Sequence, residues 1–127
     1  MSTSKEIDYV LGTHDAEIER LHLQHGIWRA LVHDCWKRAG IGEGQRIIDI
    51  GCGPGFASVD LADVVGDKGE VIGIERSERF IAHAEALCAS RGLKNVSFQH
   101  ADVMLDVFAV QGADAIWCRW LAIFVSD

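Results

Sequence analysis

The residues with the clearest chemical potential are Asp49-Ile50-Gly51-Cys52-Gly53-Pro54-Gly55. Alternating glycines let a backbone turn sharply and approach a ligand with no side chain between. A helix is expected directly after them, so its unpaired first N–H groups face the same space. Glu75 stands twenty residues beyond Gly55, at the expected end of a second strand. A carboxylate there can accept hydrogen bonds from both hydroxyls of a ribose. Ala101-Asp102 place another acid at the end of a third strand. Acids at successive strand ends suit a ligand rich in hydroxyls and amines, and disfavour a phosphate, which they repel.

The elements that must position these residues follow from local pattern. Thr13 or Asp15 can cap a helix from about Ala16 to Arg38, with Gly40 as its stop and Gly26 as a point of bending or breakage. Ile18, Leu21, Trp28, Leu31, Val32, Cys35 and Trp36 recur at three- and four-residue spacing and predict its buried face. Arg46–Ile50 reads as a short buried strand and Phe56–Val65 as a helix. Glu70–Glu75 is a second strand, after a turn at Gly66-Asp67-Lys68-Gly69. Ser77 caps a helix that runs to Arg91 before Gly92. Asn95–Gln99 and Ala113–Cys118 are the third and fourth strands, with a helical or irregular stretch, Val103–Val110, between them. Strands alternating with helices imply a parallel sheet, because each parallel step needs a crossover. The expected architecture is α/β: a Rossmann-like open parallel sheet with helices on both faces, binding ligands beyond its strand ends.

Composition narrows the function classes. The chain has 127 residues, with 12 Lys and Arg against 19 Asp and Glu, a formal charge of −7. That balance opposes a nucleic-acid footprint or an anionic membrane surface, both of which call for a basic face. Hydrophobic residues make up 49%, a globular composition. No apolar run reaches the roughly 20 residues of a membrane span, and Met1–Glu6 lacks the pattern of a secretory signal. The cysteines at 35, 52, 88 and 118 form no CxxC pair. Reduced thiols and a cytoplasmic location are expected, with no metal site. Cys52 reads as loop lining rather than a nucleophile, since no lysine or histidine adjoins it. His22 and His25 read as surface helix histidines.

Taken together, these motifs resemble those of the class I S-adenosylmethionine-dependent methyltransferases. The first motif stands as Asp49 with Gly51, Gly53 and Gly55, the ribose acid as Glu75, and the adenine-side acid as Asp102 with Val103 beside it. Ala113-Asp114-Ala115-Ile116-Trp117-Cys118-Arg119-Trp120 looks like the fourth-strand motif. Tyr9-x-Leu11-Gly12 followed by Glu17-x-x-Arg20-Leu21-x-x-Gln24 is similar to an N-terminal signature of small-molecule members. The resemblance implies S-adenosylmethionine as cofactor and a small-molecule methyl acceptor. It implies a binding set of Tyr9, Gln24, Asp49, Gly51, Cys52, Gly53, Gly55, Glu75, Arg76, Asp102, Val103 and Cys118, with Tyr9 and Gln24 closing over the methionine end. It divides the chain into a helical cap, residues 1–45, and a cofactor-binding portion, residues 46–127.

The cofactor's methyl is already electrophilic, so the protein must chiefly hold the acceptor in line with the methyl–sulfur bond. A base is needed only for some acceptors, and His14, His22 and His25 are the nearest candidates. Asp49 either belongs to the cofactor site or only orders the loop, and Arg119 either lines the acceptor pocket or pairs with a surface acid. The family's sheet has seven strands, whereas four are read here. A fragment truncated after the fourth strand is expected, with an unpaired edge open to self-association. Such a chain would bind cofactor weakly and catalyse little. Two rivals stand beside this reading. One is a non-catalytic or truncated binding fragment that pairs with another chain. The other is an NAD-binding oxidoreductase, disfavoured because its GxGxxG fingerprint needs glycine where Phe56 stands.

Overall fold

The computed structural model describes residues 15–102 and 112–118. Its elements are α1 (Asp15–Arg38), β1 (Arg46–Ile50), α2 (Phe56–Val65), β2 (Glu70–Glu75), α3 (Glu78–Ser90), β3 (Val96–His100) and β4 (Ala115–Cys118). The strands form one parallel sheet in the order β3-β2-β1-β4. The chain steps outward from β1 to β3, then returns to the far side of β1. The strand order therefore reverses between β1 and β4, and a crevice at the carboxyl ends of the strands is the expected ligand position.

Register explains the packing. Val96, Val71, Ile47 and Ala115 lie in one row across the four strands. They meet Val32 and Trp36 of α1 and Ala57, Leu61, Ala62 and Val65 of α2 in a single core. The next row on this face is Phe98, Gly73, Asp49 and Trp117. Gly73 is bare because its neighbours need the space: a Cβ there would stand 2.5 Å from the Phe98 ring and 2.9 Å from Cys52 Sγ. Trp117 meets Trp36 edge to face, with ring centroids 5.4 Å apart. Such a pair adds about 1 kcal/mol beyond its buried area. On the opposite face Ile48, Ile72 and Ile74 form a second cluster. The crossovers from β1 to β2 and from β2 to β3 step in the same direction, so right-handedness puts α2 and α3 on one face. Among the described residues no helix covers the other face.

Local signals account for the ends. Ser77 caps α3, its Oγ accepting from the Phe80 N–H at 3.3 Å. Acids in the first turn of α1 and bases in its last complement the helix dipole. α1 runs unbroken through Gly26. β4 begins two residues later than the sequence predicts. Asp114 is spent at its entrance, its carboxylate accepting from the Arg46 N–H and its own N–H donating to the Arg46 carbonyl, each at 2.8 Å. β3 is displaced by one residue, to Val96–His100.

The expected buried face of α1 needs correction. His25, Val32 and Trp36 are its buried residues, whereas Trp28, Leu31 and Cys35 are exposed, together with Leu23 and with Ile27 at 78%. The reason is polar. His25, Arg29 and His33, each four residues from the next, converge on Asp60 of α2. Asp60 Oδ2 lies 2.7 Å from His25 Nε2, 2.9 Å from Arg29 Nε and 3.2 Å from His33 Nε2. His25 is therefore not a surface residue.

Gly55 joins the sheet to two helices. It precedes α2 with φ +97°, and a Cβ there would stand 2.7 Å from the Ala84 Cβ of α3. Gly55→Ala should destabilise the chain by about 2–4 kcal/mol, from left-handed backbone strain plus overpacking. Urea unfolding monitored by circular dichroism measures this.

Candidate functional site

The loop from Gly51 to Gly55 folds back over the end of β2. The N–H groups of Gly51 and Cys52 both donate to the Ile74 carbonyl, at 2.8 and 3.1 Å. This needs positive φ at Gly51 and Gly53, +67° and +59°. Gly53 then donates its N–H to Glu75 Oε1 at 2.9 Å. Glu75 Oε2 accepts from the Arg76 and Ser77 N–H groups at 3.0 and 2.9 Å. Glu75 thus locks the glycine loop to the end of β2. A carboxylate has about four acceptor positions, so these bonds leave capacity for a further donor.

Asp102 follows β3 on the same rim, half-buried, with Arg76 Nη1 3.9 Å from its Oδ2. Cys118 is the register partner of Ile50, which places it at the β1–β4 crevice, exposed. Gly51, Cys52, Gly53, Glu75, Arg76, Asp102 and Cys118 therefore share the carboxyl end of the sheet. Asp49 sits deeper. It is 2% exposed and accepts from Ser58 Oγ at 2.6 Å, which ties β1 to the helix that leaves the loop. Gly55 faces Ala84 rather than the crevice. Gln24 is half-buried on α1. Tyr9, Val103, His14 and Arg119 lie outside the described residues.

Two histidines suggested as bases are placed elsewhere. His25 is committed to Asp60. His22 stacks on Phe56, with centroids 4.6 Å apart. Both line a cavity of about 300 Å³ among the helices, together with Arg29, Phe56, Asp60 and Arg91. This cavity belongs to the helical layer, not to the strand ends. Burial alone would raise the Asp60 carboxyl, but hydrogen bonds from His25, Arg29 and His33 outweigh it and hold the group well below the usual carboxylate range.

Sequence reasoning missed Ser58, Asp60, Gly73 and His83. A serine and an aspartate inside an otherwise apolar helix were the available signals for Ser58 and Asp60, and a glycine inside a strand was the signal for Gly73. His83, whose Nδ1 lies 2.8 Å from the Pro54 carbonyl, has no local signature.

Burial, reinforced by the negative charges of Asp49 and Glu75, pushes the Cys52 thiol well above its ordinary value. A thiol held protonated is a poor nucleophile. At pH 7.5 a thiol reagent should titrate Cys35 and Cys118 rapidly, and Cys52 and Cys88 only after denaturant is added, since only the first two are exposed. Among the described residues no group of three or more His, Cys, Asp or Glu is arranged to hold a metal ion. None of the described helices is long and apolar enough to cross a membrane.

The rim fits a nucleoside. A Cβ built on Gly53 would meet nothing within 4 Å, so bare backbone faces open space beside the Glu75 carboxylate. Fold and site together define a Rossmann-like domain for a nucleoside-bearing ligand.

Comparison with known proteins names the class. Residues 41–122 match the methyltransferase domain family, and the chain belongs to it. The cofactor of the class I members is S-adenosylmethionine. The demethylmenaquinone methyltransferase of Lactococcus lactis is 34% identical over 93 residues, 73% of this chain and 36% of that protein. The 23S rRNA uracil C5-methyltransferase of Acinetobacter baylyi is 38% identical over 78 residues, 58% of this chain and 17% of that protein. The crystal structure of a SAM-dependent methyltransferase from Aquifex aeolicus superposes with a TM-score of 0.67 at 27% identity, over 75% of this chain and 50% of that one. The chain spans about a third of the length of the demethylmenaquinone methyltransferases it matches.

Proposed function

We propose that this chain forms the cofactor-binding half of an S-adenosylmethionine-dependent methyltransferase that acts on a small-molecule acceptor. The observation that carries this reading is the junction of Gly53 and Glu75 at the strand ends, in a chain of the methyltransferase domain family. In this reading Glu75 takes the ribose hydroxyls and Asp102 the adenine amine. Gly51 and Gly53 let the backbone lie against the ligand, Cys52 and Cys118 line the crevice, and Arg76 holds the Asp102 carboxylate in place. Asp49 and Gly55 act from beneath, by fixing the loop. Tyr9, Gln24 and Val103 complete the set. Residues 1–45 serve as a helical cap on the cofactor portion, residues 46–127.

When bound, the cofactor supplies an electrophilic methyl on a sulfonium. The chain's task is to orient that group and keep water from it. The acidic balance and the relative that acts on demethylmenaquinone favour a small acceptor over the rRNA of the Acinetobacter relative. The β4 edge pairs only with β1 among the described residues, and Ile116 on it is 61% exposed. Self-association through this edge is part of the proposal.

Calorimetric titration of S-adenosylhomocysteine into the chain tests the reading, with NAD as control. Saturable one-to-one binding, with no heat from NAD, is expected. Binding of NAD, or of neither compound by a folded chain, would overturn it.

A further inference from the structure

We propose that His83 is a positioning residue for the cofactor loop, acting on Glu75 through a relay of two peptide planes. The inference rests on the cofactor reading above for its consequence, but not for its geometry.

The hydrogen bonds run in one direction. His83 Nδ1 donates to the Pro54 carbonyl at 2.8 Å. The peptide plane that carries this carbonyl also carries the Gly55 N–H, which donates to the Cys52 carbonyl at 3.2 Å. That carbonyl shares its plane with the Gly53 N–H, which donates to Glu75 Oε1 at 2.9 Å. Each donor in such a chain polarises the next. The last acceptor is the carboxylate placed to meet the ribose. Glycines at 53 and 55 have no side chain to hold these planes, so the orientation of each plane depends on its hydrogen bonds.

The ring of His83 is itself held. It meets Phe56 edge on, with centroids 5.5 Å apart, and Phe56 in turn stacks with His22 and His25 of α1. The residue after His83 is Ala84, which closes against Gly55. α3 therefore grips the loop at two successive positions, one by contact and one by a hydrogen bond.

Three readouts test the relay. In wild type, nitrogen-15 spectra of the histidines at pH 8 should show His83 with its proton on Nδ1. A ring protonated only on Nε2 would overturn the proposal without any variant. His83→Phe keeps a ring against Phe56 and removes the donor, whereas His83→Asn keeps an N–H at the equivalent position. His83→Phe should weaken S-adenosylhomocysteine binding about fivefold, the scale of one neutral hydrogen bond, and speed amide exchange at Gly53 and Gly55. His83→Asn should restore both to within about twofold of wild type. If the Phe variant matches wild type, or the Asn variant is as impaired as the Phe variant, the hydrogen bond is not what holds the loop. The exchange rates need no ligand, so a wild type that binds no S-adenosylhomocysteine would refute the cofactor reading and still leave the relay decided.

Discussion

Replacing Glu75 with alanine should weaken S-adenosylhomocysteine binding about 100-fold. Hydrogen bonds to a charged group contribute about 1.5–3 kcal/mol each, and a ribose offers two hydroxyls, so a loss of about 3 kcal/mol is the lower expectation. The variant loses more than those contacts. Glu75 also accepts from the N–H groups of Gly53, Arg76 and Ser77, so without it the loop is released from the end of β2. Glu75→Gln, which keeps one carbonyl acceptor, should fall between wild type and alanine. Isothermal titration of the three proteins measures the series. Equal affinities would separate Glu75 from the ligand and remove the main support for a nucleoside at this rim.

Asp60→Ala should destabilise the chain by about 3 kcal/mol. Removing one partner of a buried ion pair costs about 3–5 kcal/mol, because the groups left behind stay dehydrated. Here, of the three partners, only His25 is buried, while His33 and Arg29 are exposed enough to rehydrate, so the lower end of that range is expected. For a chain of this size that corresponds to a fall in Tm of roughly 10 °C. The pH dependence has a definite sign. The folded state holds the Asp60 carboxyl well below its unfolded value, so the unfolded chain binds the proton first as pH falls. The carboxylate's contribution is present in full above about pH 5 and is lost progressively below it. The gap between thermal melts of wild type and Asp60→Asn should therefore close progressively as pH falls from about 5 towards 2. A gap that widens as pH falls would contradict this account of the cluster.

Much of this architecture is legible locally. Arg46–Ile50, Phe56–Val65 and Glu70–Glu75 are read from the sequence with the bounds they have in the structure. Each is an apolar run closed by glycine or a turn, so its ends are set within the segment itself. The start of β4 is not set in this way, because it depends on Asp114 reaching Arg46, sixty-eight residues earlier in the chain. α1 shows the same limit on a larger scale. Its stop before Gly40 is legible, but its apolar residues cover too broad an arc to select one face. The choice is made by Asp60, whose position is fixed only once α2 is packed.

The glycines divide in the same manner. Sequence pattern groups Gly53 and Gly55 as one ligand-facing motif, yet only Gly53 faces open space, while Gly55 makes room for Ala84. By type and position alone Asp49 fits either a site residue or an organiser of the loop. Its burial and its bond to Ser58, which depend on how α2 packs on β1, are not visible in the local pattern.

The central claim is that the cofactor lies at the strand ends beside Glu75, and not in the cavity between the helices. The most direct measurement is a backbone amide spectrum of the chain recorded with and without saturating S-adenosylhomocysteine. The account predicts the largest shifts at Gly51, Gly53, Glu75, Arg76, Ser77 and Asp102. Shifts confined to His22, Arg29, Phe56, Asp60 and Arg91 would place the ligand in the helical layer and contradict it.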